Sequence, residues 1–288
     1  MKYKRKPEWI RVRIGDAAHI NKVTNLIKQY NLTTVCEEAN CPNRLECYGN
    51  KTATFMLLGK VCTRHCKFCN VTGGVPEIID TEEPKNVANA VKKLDLKYAV
   101  ITSVTRDDLE DQGAKQFVNT IEEIRFLMKD IFIEILTPDF NGDFDLIKLV
   151  VDSNPDVYNH NVETIERLYS AVRPEANYEQ SLKVLQYVKS INPKMITKSG
   201  IMLGLGEKEE EVIKTLKDLR KVDCDIVTIG QYLQPSPKHV DLVEYIHPDQ
   251  FKIYEEIATS LGFMAVASAP LVRSSYGALE MYEKLKMI

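Results

Sequence analysis

The stretch VCTRHCKFCN, residues 61–70, sets Cys62, Cys66 and Cys69 within eight positions, and after it only Cys224 remains. A structural zinc site or an ordinary iron–sulfur cluster takes four protein ligands, so three thiols raise the question of the fourth. Offsets of four and seven could place the sulfurs on one helix face. The charged flanks Arg64, His65 and Lys67 and the following pair Gly73 and Gly74 suit a loop wrapped around an object better. Zinc with His65 as fourth ligand is one occupant. The better one is a four-iron cluster with one iron free of protein ligands, because an open coordination position is where chemistry happens.

Outward from this stretch, apolar β-like runs alternate with helical patterns. TATFMLLG precedes the cysteines directly, and KYAVITSV, FIEILTP, DVYNHNVE, MITKSGIMLGLG, DIVTIGQYL and FMAVASAP follow. Between them AKQFVNTIEEIRFLMK, YEQSLKVLQYVKSI and EEEVIKTLKDLRKV carry apolar residues at helical spacing. Such alternation predicts an α/β fold, with parallel strands forming a full or partial TIM-type barrel of six or seven units. Function in such folds collects after the C-terminal ends of the strands, where the second triad stands. We expect a barrel over 51–263, an N-terminal extension over 1–50 and a C-terminal extension over 264–288.

The composition of the 288 residues, with 44% hydrophobic, 27% charged and net charge −3, belongs to an ordinary globular chain able to bury a large core. No apolar run is long enough to span a bilayer. The basic start MKYKRKPEWIRVRIG lacks the apolar segment of a secretory signal, so a cytoplasmic location is expected. Nucleic acid and membrane are not expected as partners. Seven cysteines in a reducing compartment read as metal ligands more readily than as disulfides. Cys36, Cys41 and Cys47 form an earlier triad in polar, broken sequence, CEEANCPNRLECYGN, read as loop, with a helix from about Ala17 to Tyr30 before it. Offsets of five and eleven lie about 140° and 20° apart on a helical wheel, so this triad needs a looping backbone. Cys224, beside a strand-like run, reads as a buried small hydrophobe.

The three-then-two spacing of the second triad, with Phe68 before its last cysteine, resembles the radical S-adenosylmethionine enzymes. The four-then-five spacing of the first triad, fifteen residues upstream, resembles the lipoyl synthase family within them. KPEWIRVRI, TSVTRDDLEDQGA, NHNVET, KSGIMLGLGE, QYLQPS and VRSSY extend the resemblance over almost the whole chain. The resemblance implies a partial (β/α)6 barrel with two [4Fe-4S] clusters and S-adenosyl-L-methionine. The radical cluster would sit on Cys62, Cys66 and Cys69, with S-adenosylmethionine on its open iron, cleaved to a 5′-deoxyadenosyl radical. The auxiliary cluster would sit on Cys36, Cys41, Cys47 and a serine of the VRSSY stretch, Ser275 rather than Ser274, with Arg273 beside it. Asn161, Glu163, Arg173, Gly204 and Glu207 are expected around S-adenosylmethionine. Glu207 equally suits a plain strand-to-helix turn, and Ser-Ser-Tyr an ordinary cap of the last helix.

The implied activity is insertion of two sulfur atoms at carbons six and eight of a protein-bound octanoyl group, with the auxiliary cluster as sulfur donor. No side-chain acid or base is expected to catalyse it. The implied partners are octanoylated lipoyl carrier domains, namely 2-oxoacid dehydrogenase acyltransferase subunits and the glycine-cleavage H protein, or an octanoyl-lysine peptide. Ferredoxin or flavodoxin is the implied reductant. The basic residues Lys2, Lys4, Arg5, Lys6, Arg11 and Arg13 would steer an acidic carrier. The alternatives are another radical enzyme with an auxiliary cluster, acting on a peptide, and a non-catalytic electron-transfer or zinc-binding module.

Overall fold

The computed structural model describes residues 5–286. In chain order its main elements are α1 (Ala17–Gln29), α2 (Val35–Glu38), α3 (Arg44–Gly49), β1 (Thr54–Leu57), α4 (Glu83–Leu94), β2 (Tyr98–Ser103), α5 (Ala114–Leu127), β3 (Phe132–Leu136), α6 (Phe144–Asp152), β4 (Val157–Asn159), α7 (Tyr169–Val172), α8 (Tyr178–Ile191), β5 (Ile196–Leu203), α9 (Glu209–Lys221), β6 (Ile226–Gln231), α10 (Pro248–Ser260), β7 (Ala265–Ser268) and α11 (Ala278–Lys286). All seven apolar runs contain a strand. The fold is α/β of the partial-barrel class, with six strand–helix units followed by a seventh strand.

The chain divides into two compact units. Residues 12–64 and 70–158 form the first, in which β1 pairs in parallel with β2, Thr54 opposite Val100, and β2 with β3, Tyr98 opposite Phe132. Every residue of β1 is buried, as expected of a parallel strand covered on both faces. Amphipathic helices complete the layer: Phe117, Ile121 and Ile124 of α5 recur at helical spacing and are buried. Pro84 in its first turn helps start α4, whose end is set by Asp95 in the left-handed conformation at φ 55°.

Residues up to Arg11, 65–69 and from Asn159 onward form the second unit. There β5 pairs in parallel with β6, Lys198 opposite Ile226, and β6 with β7, Ile226 opposite Ala265. Its core gathers Leu185 of α8, Val212, Leu216 and Leu219 of α9, Val227 and Ile229 of β6 and Phe251 of α10. Each such side chain, fully buried, contributes roughly 1.5–3 kcal/mol. Cys224 is buried here, its thiol pushed up to about 12 by burial and by Asp225, as a core residue.

Candidate functional site

The first triad lies on structure firmer than the loop expected from its polar sequence. Cys36 is on α2 and Cys47 on α3, with Cys41 in the turn between them. Thr34 caps α2 by accepting the Glu37 N–H at 3.3 Å, and its hydroxyl lies 2.8 Å from the Tyr48 hydroxyl of α3. The Cys41 N–H donates to the Cys36 carbonyl, 3.1 Å, which bends the chain back. At Gly49 an added Cβ would stand 2.4 Å from the Gly15 Cα, so only glycine allows the start of α1 this close to the end of α3. Local propensity alone would not form helices of four and six residues; these side-chain ties do.

Burial, with the charge of Cys41 adding to it, pushes the Cys36 thiol up to about 11. Burial together with Cys36 and Cys41 pushes the Cys47 thiol up to about 12. As thiolates these groups would raise one another's pKa, adding to the effect of burial. Such thiols stay protonated unless cations lie among them, which is the donor chemistry of a cluster site. No group of His, Cys, Asp and Glu among the described residues could hold a single metal ion. A four-iron cluster bonds each thiolate to a different iron and needs a wider opening.

The second triad lies on extended and turning backbone, not on a helix. In the first unit, Val61–Cys62 pairs in parallel with Thr72–Gly73, and the Cys62 sulfur accepts N–H groups from Thr105 at 3.3 Å and Arg64 at 3.5 Å. Such donors fit the sulfur of a cluster ligand. Arg64, read from sequence only as a charged flank, is buried. Its Nε and Nη2 fork Asp107 at 2.8 and 2.9 Å, and Nη2 also reaches Asp139 at 2.8 Å and Asn141 at 2.6 Å. The signal available was the TRDDL stretch, whose first aspartate, Asp107, pairs with it.

In the second unit, Cys66 and Cys69 are joined by a turn in which the Cys69 N–H donates to the Cys66 carbonyl, 3.1 Å. The Lys67 N–H donates to the Val172 carbonyl at 2.8 Å, and the Lys67 carbonyl accepts from the Val240 N–H at 2.8 Å. Phe68 packs against the cluster of Val172, Leu205, Tyr232 and Leu242. His239 Nε2 lies 3.0 Å from the Cys69 carbonyl. His65, the zinc ligand of the alternative reading, instead sets its Nδ1 3.1 Å from Glu175.

The expected S-adenosylmethionine residues gather at the end of β4. Asn161 Nδ2 donates to Glu163 Oε1 at 3.0 Å and to Ser274 Oγ at 2.6 Å, while the buried Asn161 Oδ1 has no hydrogen-bond partner among the described residues. The Arg173 guanidinium holds the Asn161 carbonyl at 3.0 Å and the Val162 carbonyl at 3.3 Å. Glu163 has φ 65°, a left-handed backbone that a glutamate adopts only when its surroundings impose it. Here they do: its N–H and carbonyl bond Gly200 and Met202 of β5 at 2.9 and 2.8 Å. Burial raises the Glu163 carboxyl above its ordinary range against the pull of Arg173 and Asn161. The buried acceptor Asn161 Oδ1 beside a carboxyl and a guanidinium fits a zwitterionic ligand.

Gly204 lies after β5 with φ 99°, a conformation that glycine favours. The Glu207 carboxylate accepts the Gly204 and Leu205 N–H groups at 2.6 and 2.9 Å, and so staples its own strand-to-helix turn. Burial raises its carboxyl while those bonds lower it. Arg273, Ser274 and Ser275 precede α11, which begins only at Ala278, so neither serine is its cap. The Ser275 hydroxyl makes no hydrogen bond among the described residues.

Residues 56–219 match the radical SAM superfamily. The chain is 55% identical over 284 residues to the lipoyl synthase of Alkaliphilus metalliredigens, covering 99% of this chain and 98% of that one. It is 55% identical to the lipoyl synthase of Caldanaerobacter subterraneus, covering 95% and 96%. Among solved structures, methylornithine synthase superposes with a TM-score of 0.55 at 13% identity, covering 96% of this chain and 89% of that one. Streptococcus suis SuiB bound to S-adenosylmethionine gives 0.58 at 12% identity, covering 74% and 49%. These two likenesses speak for the fold alone, as does the strand–helix alternation. The near full-length relatives together with both cysteine triads lead to one statement: the chain belongs to the lipoyl synthase family of the radical SAM superfamily.

Proposed function

We propose that this protein inserts two sulfur atoms into an octanoyl group carried on a lysine of a small protein domain, completing a lipoyl group. The observation that carries the proposal is the near full-length likeness to lipoyl synthases, supported by a second cysteine triad, Cys36, Cys41 and Cys47, in addition to the radical motif. The hydrogens to be replaced sit on unactivated alkyl carbons, beyond the reach of any acid–base residue. When bound, a reduced [4Fe-4S] cluster and S-adenosylmethionine supply a carbon radical equal to that task.

The chain's own residues then have separable roles. Cys62, Cys66 and Cys69 would hold the radical cluster, with the Thr105 and Arg64 N–H groups donating to the Cys62 sulfur. Asn161, Glu163 and Arg173 orient the methionyl part of S-adenosylmethionine; Gly204 and Glu207 shape the turn beside it. Cys36, Cys41, Cys47 and Ser275 hold the auxiliary cluster, which serves as sulfur source. Ser275 Oγ is a harder ligand than thiolate and marks the iron most easily released. The domain boundaries at 50 and 263 separate the barrel from the two extensions that bring these auxiliary ligands.

The carriers are lipoyl domains of 2-oxoacid dehydrogenase acyltransferase subunits and the glycine-cleavage H protein, and a ferredoxin or flavodoxin provides electrons. Arg5, Lys6, Arg11 and Arg13 are exposed and suit an acidic carrier; Lys2 and Lys4 lie outside the described residues. No described helix is long and apolar enough to cross a membrane. We place the reaction in the cytoplasm, where reduced thiols persist.

The test is an anaerobic assay of the iron–sulfur reconstituted chain with dithionite, S-adenosylmethionine and an octanoyl-lysine peptide. Sulfur-bearing peptide together with 5′-deoxyadenosine is expected. 5′-Deoxyadenosine without sulfur insertion would refute the substrate or the auxiliary site, and zinc without labile sulfide would refute both clusters. Ser275→Ala should lower iron from about eight to about four per chain.

A further inference from the structure

The turn before α11 rests on the ends of β5 and β6 through a specific set of close contacts. The Gln231 N–H donates to the Pro270 carbonyl at 3.3 Å, and the Ala269 N–H to the Ile229 carbonyl at 3.1 Å. At Gly230 an added Cβ would stand 2.2 Å from the Val272 carbonyl oxygen, so the absence of a side chain there lets the returning segment lie on the strand. Arg273 Nη1 folds back onto the Val272 carbonyl at 2.6 Å. Beyond this point Asn161 Nδ2 donates to Ser274 Oγ at 2.6 Å. Gly200 leaves the room for it: a Cβ there would stand 2.5 Å from Thr228 Oγ1, 3.0 Å from Asn161 Oδ1 and 3.3 Å from Ser274 Oγ.

We infer that Ser274 is a positioning residue, a latch that fixes the 273–277 turn and thereby the direction in which the neighbouring Ser275 is offered. The two serines divide the labour. Ser274 is committed to Asn161, while the Ser275 hydroxyl makes no bond among the described residues and is available as a ligand. Asn161 is the other half of the device. One amide hydrogen goes to Ser274 and the other to Glu163, and its backbone carbonyl is held by Arg173, so the latch ties the C-terminal turn to the β4 end. The functional consequence rests on the reading of Ser275 as a cluster ligand; the latch itself does not. A serine that merely held the turn would be replaceable wherever the segment is otherwise packed. Here the turn meets the strands at Gly230 and Gly200, whose missing side chains let Val272 and Ser274 approach so closely.

The test compares the reconstituted full chain with Ser274→Ala, Ser274→Thr, Ser275→Ala and Gly200→Ala by amide hydrogen exchange, iron content and product ratio. In Ser274→Ala, exchange across 272–282 should accelerate roughly fivefold, the effect of one hydrogen bond, with β5 and β6 still protected. Iron should stay near eight per chain, and 5′-deoxyadenosine formation within about twofold, while lipoyl product per 5′-deoxyadenosine falls about tenfold. Ser274→Thr, which keeps the hydroxyl, should restore slow exchange, and Gly200→Ala, which pushes on the same bond from the strand, should reproduce the loosening. Unchanged exchange in Ser274→Ala would overturn the latch. So would loss of four irons from Ser274→Ala with none lost from Ser275→Ala, which would make Ser274 the ligand. If Ser275→Ala keeps all its iron, the ligand reading fails alone, and accelerated exchange in Ser274→Ala still supports the latch.

Discussion

Arg64 stands between Cys62 and Cys66 in the chain, and its guanidinium is shared by Asp107, Asp139 and Asn141. Burial works against its charge, but the two carboxylates outweigh that and hold the guanidinium firmly protonated. Removing one partner of a buried pair leaves the others uncompensated, so Arg64→Ala should cost roughly 3–5 kcal/mol. Arg64→Lys keeps the charge and loses the fork, for about 1–3 kcal/mol. Denaturant unfolding of the anaerobic protein measures both, and the radical cluster should be lost before the auxiliary one. From sequence the radical-motif spacing of Cys62, Cys66 and Cys69 was legible, because it lies within eight positions. The anchor was not, since Asp139 lies 75 positions from Arg64 and nothing local ties them.

α2 and α3 are the elements that the sequence reading missed. Their polar, punctuated sequence has no helical periodicity to find, and Pro42 and Gly49 read as loop signals. Gly49 serves instead as the contact point with Gly15. Gly49→Ala should therefore overpack this junction by about 1–3 kcal/mol and lower auxiliary iron, with little effect on 5′-deoxyadenosine formation. α9 shows the reverse case, a helix legible in full from EEEVIKTLKDLRKV. In its first turn Glu211 accepts the Lys208 N–H at 2.8 Å and pairs with Arg167 at 2.6 and 2.8 Å. The hydrogen bonds from Arg167, more than any other influence, hold the Glu211 carboxyl down at about 2 against an ordinary 4.5. A depressed carboxyl contributes stability that is complete above pH 4.5 and lost as pH falls toward 2. Because the pair is largely solvated, a Tm loss of roughly 2 °C or less is expected, absent in Glu211→Gln, by thermal scans across that window.

Cluster loading should stabilise the molecule unevenly, because ligands that bind the folded state alone add their binding free energy to it. The three cysteines of the proposed auxiliary site lie within 36–47, two of them on helices too short to persist by themselves and Cys41 in the turn between. Amide exchange over residues 34–52 should therefore rise at least tenfold when iron is removed by chelation, while α9 and α10 change little. Uniform protection with and without iron would mean that this region is held by packing alone. Carrier turnover at low substrate should also fall as salt rises, and fall further when Arg5, Lys6, Arg11 and Arg13 are neutralised; indifference to both would remove the arm from carrier docking.

The strands, the three long helices singled out, the fold class and both cysteine triads were written in the linear chain. Apolar alternation reports burial, and thiol spacing reports ligand geometry, each over a window of ten to fifteen residues. What the tertiary structure alone decided is which distant partner meets each of these local pieces. It brought Asn161 to Ser274, 113 positions away, and Gly49 to Gly15, 34 positions away. It also bound Arg64 to Asp139, 75 positions away. Such pairings depend on how packed strands bring separate loops together, and no periodicity or spacing along the chain encodes that meeting.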